Sequence, residues 1–135
     1  MIIYASPNTG KTTFCNNNPE WIDTDVVLFQ MLKEAFGIEI KDDKTKGQQI
    51  IDLFKSDRVK AESVYTQLYH WLKENRSKNI LLGTRRFMFL ADKILIKRSN
   101  SQEILKQELK SINKWKLFDK VNYINDFIEL KNLKK

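Results

Sequence analysis

The sequence predicts an α/β fold, a three-layer αβα sandwich on a parallel sheet of four to five strands, and three observations lead there. Short apolar runs near residues 2–4, 21–24, 79–84 and 93–97 alternate with segments whose apolar residues recur at helical spacing. The first run, Ile2-Ile3-Tyr4, carries no polar residue, as expected of a central strand covered on both faces. The chain between Ala5 and Trp21 is just long enough for a right-handed crossover between parallel strands. Such alternation places helices on both faces of the sheet.

Taken in order, the first strand is followed by a helix opening at Lys11. Asn16-Asn17-Asn18-Pro19 ends that helix after about two turns, since Asn favours turns and the residue before Pro is pushed out of the helical region. The first half of 21–27 reads as the second strand. Residues 27–36 bring Leu28, Met31, Leu32 and Ala35 onto one helical stripe, with Gly37 as terminator. Residues 38–47, with Lys41-Asp42-Asp43-Lys44, read as a polar loop. Helices follow over 48–54 and 59–75, the second with Val64, Leu68, Trp71 and Leu72 as its core stripe and with His70 lacking an identifiable partner. The third strand spans 79–84 and a short helix 85–90. A fourth strand at 93–97 is harder to reconcile with a parallel sheet, because the connection from Thr84 to Asp92 is only nine residues. Residues 101–115 form an amphipathic helix capped by Ser99 or Ser101. An edge strand at 121–124 and a helical turn or two over 127–133 complete the chain. No internal repeat is present.

The 135 residues suffice for one domain with one core, within which 26–78 form a helical insertion. A hydrophobic content of 41% and a charged content of 30% are ordinary for a soluble globular protein. No apolar run approaches the roughly 18 residues of a membrane span, and no basic-then-apolar leader opens the chain, so a cytoplasmic protein without a membrane partner is expected. The single cysteine, Cys15, excludes an intrachain disulfide, and with one histidine no Cys/His zinc set can form. The net charge of +7 is lopsided: residues 1–70 hold 8 Lys/Arg against 10 Asp/Glu, whereas 71–135 hold 16 against 7. The basic half can face a nucleotide polyphosphate or a nucleic acid. It can equally be a solvated face, since Lys106, Lys110 and Lys114 recur at spacing four.

The chemistry centres on Ala5-Ser6-Pro7-Asn8-Thr9-Gly10-Lys11-Thr12, a tight turn between the first strand and the first helix. Successive backbone N–H groups in such a turn converge on one concavity, and the helix that follows presents its positive dipole end. Gly10 permits close approach of an anion, Lys11 supplies a mobile point charge, and the Thr12 hydroxyl is a hard oxygen ligand. Ligands of parallel sheets bind beyond the carboxyl ends of the strands. This rule gathers the turn, Asp23 and Asp25 after the second strand, and Gly83-Thr84-Arg85-Arg86 after the third.

The turn resembles the Walker A motif of P-loop NTPases, in a variant with Ala at its first position. Together with Trp21-Ile22-Asp23-Thr24-Asp25 it is similar to the P-loop kinases of nucleosides, nucleotides, shikimate and gluconate, in a shortened form. The resemblance implies a P-loop NTPase fold and an ATP- and Mg²⁺-dependent kinase. Ser6, Pro7, Asn8, Thr9, Gly10, Lys11, Thr12 and Thr13 would bind the nucleotide phosphates, and Thr12 and Asp23 would serve the metal. Asp25 would hold the acceptor hydroxyl, and 26–78 would be the substrate-binding insertion. Arg85 and Arg86 would clamp phosphate or carboxylate and offset charge in the transition state. The alternatives are helix capping for the two aspartates, and solvent exposure or a salt bridge to Asp92 for the arginines. No extended Arg-rich lid follows the fourth strand, only Lys97-Arg98-Ser99-Asn100-Ser101, so Arg98 would serve alone.

Three functions follow as expectations: phosphoryl transfer to a nucleoside, nucleotide or similar small acceptor; phosphoryl transfer to a nucleic-acid end or a modified base in DNA; and nucleotide binding without turnover. The sequence leaves the acceptor, the choice between ATP and GTP and the oligomeric state open.

Overall fold

The computed structural model describes residues 1–6 and 9–125. Pro7, Asn8 and the helical turn expected over 127–133 lie outside the described residues. Five strands, β1 (Ile2–Ala5), β2 (Trp21–Asp23), β3 (Asn79–Leu82), β4 (Lys93–Lys97) and β5 (Val121–Ile124), form one parallel sheet in the order β2-β3-β1-β4-β5. The helices are α1 (Lys11–Asn17), α2 (Thr24–Phe36), α3 (Lys46–Ser56), α4 (Arg58–Glu74) and α5 (Gln102–Trp115). The chain divides into two compact units, Met1–Thr24 with Arg76–Lys135, and Asp25–Asn75.

In the sheet unit the pleat sends alternate residues of β1 to opposite faces. Ile3 and Ala5 join Phe14, Trp21, Leu81 and Leu95 in a buried cluster, against which Cys15 also packs, so α1 covers this face. Tyr4 points the other way and meets Glu108 of α5. Helices therefore flank the sheet on both sides, as the alternation of elements predicts.

The short link from β3 to β4 does cross β1 and deliver a parallel strand. Its solution is a 3₁₀ helix, Arg85–Leu90. The segment is not one continuous helix: Phe87, at φ −109 and ψ 17, kinks it, and the tight turns on either side keep the crossover short. Phe87, Met88 and Leu90 bury their side chains from it. The turn into β4 is fixed by Asp92, whose N–H donates to the Ile2 carbonyl and whose carboxylate accepts from the Ile2 N–H.

In the helical unit α3 packs on α4, with the Phe54 and Tyr65 rings 5.4 Å apart. Asp57 caps α4 by accepting from Lys60 N–H. Gly37, at φ +70, ends α2 as expected, in a conformation that a side-chain-bearing residue resists. Val64, Leu68 and Leu72 are buried, whereas Trp71 is only half-buried. Trp71 leaves the core stripe to line an open groove of about 550 Å³ with Met31, Ser63, Gln67, His70 and Glu74.

Candidate functional site

Sheet topology singles out one place. From β1 the chain runs by α1 to β2, on one side of β1, whereas from β4 it runs by α5 to β5, on the other side. The crevice between the carboxyl ends of β1 and β4 is therefore a topological switch point, where parallel sheets accommodate ligands. The turn that holds Lys11 leaves the sheet at this point.

Ser6 continues β1, its N–H donating to the Leu95 carbonyl. Its buried hydroxyl accepts from Lys97 N–H at 3.0 Å and from the Asn100 amide at 3.2 Å, which ties the start of the turn to the end of β4. Ser6 thus contributes shape, a use that the motif does not reveal. Buried Thr9 closes the turn by donating to the Ser6 carbonyl at 2.9 Å. Gly10 takes φ 84, the left-handed conformation expected of it, and starts α1. With seven residues α1 contributes little dipole, so the charge for an anion comes chiefly from Lys11. The Lys11 ammonium folds back over the turn and donates to the carbonyls of Ala5 at 3.1 Å and Ser6 at 3.3 Å.

Asp23, at the end of β2 and 6% exposed, accepts from the Thr12 hydroxyl at 3.3 Å. The half-buried Cys15 thiol senses this neighbourhood: burial first, and then the Asp23 carboxylate, push it up to about 12, with Lys11 acting in the opposite direction. Thr13 is exposed in the first turn of α1. Lys11, Thr12 and Asp23 are therefore brought together as the sequence predicts. Among the described residues no three His, Cys, Asp or Glu side chains cluster as a metal site.

The other expected residues have different surroundings. Asp25 lies in the first turn of α2, which begins at Thr24 rather than Val27, and it pairs at 3.8 Å with Lys46 inside the helical unit. Arg85 does not pair with Asp92, which meets Arg76 instead. Its guanidinium reaches Gln107 at 2.7 Å and Glu108 at 3.5 Å on α5. Arg86 is exposed. Arg98 lies with its guanidinium 5.4 Å from the centre of the Tyr123 ring. Only four residues join β4 to α5.

Two polar arrangements were missed from the sequence. Buried Thr24 donates to the Leu81 carbonyl at 3.1 Å and accepts from Gly83 N–H at 3.1 Å, pinning the ends of β2 and β3 together. Glu108, with no exposed surface, accepts from the Tyr4 hydroxyl at 2.8 and 2.9 Å. Burial, and then the Glu108 carboxylate, raise the Tyr4 phenol well above its ordinary value, so it remains a donor. A glutamate inside an amphipathic stripe is the one available clue, since its period places it among Leu105 and Ile112.

No protein family, curated protein or solved structure matches the chain.

Proposed function

We propose that the chain is a P-loop kinase that transfers the γ-phosphoryl group of ATP to a nucleoside, a nucleotide or a similar small acceptor. The observation that carries this reading is the convergence of Lys11, Thr12 and Asp23 beside a switch-point crevice, on a turn of Walker A sequence.

The donor set suits the nucleotide and its metal. The Thr12 hydroxyl and the Asp23 carboxylate are hard oxygen donors held against each other at 3.3 Å. Thr12 would ligate the ion and Asp23 would orient its outer shell. When bound, Mg²⁺ neutralises charge on the phosphate oxygens. In the bound state Lys11 would turn from the Ala5 and Ser6 carbonyls to phosphate oxygens, which accept charge-assisted hydrogen bonds. Ser6, Thr9 and Gly10 fix the two ends of the turn. Phosphoryl transfer asks a protein mainly for position and charge, which these residues supply.

The test is transfer of labelled γ-phosphate to a panel of nucleosides, nucleoside monophosphates and small hydroxy acids, alongside thermal shift with ATP and Mg²⁺. Transfer to one class, lost together with ATP stabilisation in Lys11→Ala, supports the kinase. The four-residue link in place of a lid favours a second reading, nucleotide binding without turnover. Stabilisation by ATP with no transfer to any acceptor selects that reading. Absence of both defeats the two together.

A further inference from the structure

We propose that α5 and β5 form a binding surface for single-stranded nucleic acid, independent of the phosphate turn. From Lys93 to Asn125 the chain carries eight Lys/Arg against three Asp/Glu, and one of those acids, Glu108, is fully buried. The helical unit, by contrast, holds eight against nine.

Lys106, Lys110 and Lys114 are exposed and lie on one line of α5, each four residues from the next. Like charges at this spacing destabilise a helix. A merely solvated face disperses both signs, as in the helical unit, where Lys46 meets Asp42 and Lys60 meets Asp57. Among the described residues no carboxylate pairs with Lys106, Lys110 or Lys114. A polyanion would turn this repulsion into affinity.

The second observation is aromatic. In the segment that follows α5, Phe118 and Tyr123 are 59% and 49% exposed, alternating in sequence with Lys116 and Lys120, and the Arg98 guanidinium sits 5.4 Å from the Tyr123 ring centre. Exposed rings interleaved with cations offer stacking to unpaired bases, whereas a duplex keeps its base faces covered. This combination favours a single strand over a duplex or an anionic membrane.

The test is fluorescence anisotropy of a labelled 20-nucleotide oligo-dT and oligo-U across a salt titration, with duplex of the same length and phosphatidylserine vesicles as competitors. The wild-type chain should bind the single strands, with affinity falling steeply as salt rises. Combined Lys106→Gln, Lys110→Gln and Lys114→Gln should flatten the slope of log K against log salt by about 2, at ~0.7 per phosphate contact, and the arginine triple should restore it. Tyr123→Ala and Phe118→Ala should each weaken binding by about 5- to 150-fold while leaving the slope unchanged. Urea unfolding of the glutamine triple at or above wild-type stability shows that charge rather than folding is read. Absent or salt-insensitive binding, equal binding by the glutamine triple, or preference for duplex or vesicles overturns the proposal. Lys11→Ala should bind the oligonucleotides like wild type, so loss of the kinase reading and loss of this one are separate results.

Discussion

Tyr4→Phe is the most informative single perturbation of the sheet unit. The phenol spans both oxygens of Glu108, at 2.8 and 2.9 Å, and that carboxylate has no contact with solvent. Its remaining cationic partner is Arg85 at 3.5 Å, with a guanidinium whose Nε is itself buried without an acceptor. Deleting the hydroxyl removes a hydrogen bond to a charged group, worth about 1.5–3 kcal/mol. It also leaves the buried carboxylate short of a donor, and such an unmet buried demand costs about 1–3 kcal/mol, more for a charged group. We expect Tyr4→Phe to cost about 2–4 kcal/mol in urea unfolding, at an unchanged m-value. Glu108→Gln should cost less, because the amide still accepts from Tyr4 and the partly exposed Arg85 can turn to water. Combining Tyr4→Phe with Glu108→Leu should cost much less than the two single losses added together, since replacing both polar partners by apolar groups removes the unmet demand. A loss below about 0.5 kcal/mol for Tyr4→Phe would refute the reasoning, because the carboxylate would then be satisfied without the phenol.

Two further outcomes follow from the same unit. Thr24→Val leaves the Leu81 carbonyl and the Gly83 N–H without their bridging hydroxyl and should cost about 1–3 kcal/mol in urea, with Thr24→Ser recovering most of it. The Cys15 thiol, raised to about 12 in the fold, stays protonated there while the unfolded thiol ionises near its ordinary value. Its contribution to stability is therefore complete below about pH 9 and is lost as pH climbs toward 12, a decline that Cys15→Ala should reduce. Alkylation at pH 8 should correspondingly be slow in the native protein and fast in urea.

The order of elements was legible because it depends on local periods. The apolar runs and helical stripes fixed five strands and five helices to within a few residues, and Gly10 and Gly37 stand where the chain needs positive φ. The β3–β4 link looked too short because the usual crossover lengths assume an α-helix, whereas here two short 3₁₀ turns kinked at Phe87 make the crossing. At the site, Lys11 and Thr12 could be read from their turn, and Asp23 from its place at the end of a strand. Arg85 and Arg98 could not be placed, because long side chains go wherever the nearest buried carboxylate or ring lies, and Glu108 and Tyr123 are distant in sequence.

The sequence by itself determined the alternation of strands and helices and the glycine-bearing turn between β1 and α1, all set by residues within one or two turns of each other, and with them the charge imbalance. The tertiary structure decided the strand order, the burial of Glu108 against Tyr4, and the use of Ser6 and Thr24 as ties between strand ends. Those features depend on which groups lose water together when the sheet closes, a property of contacts across the chain that no local pattern encodes.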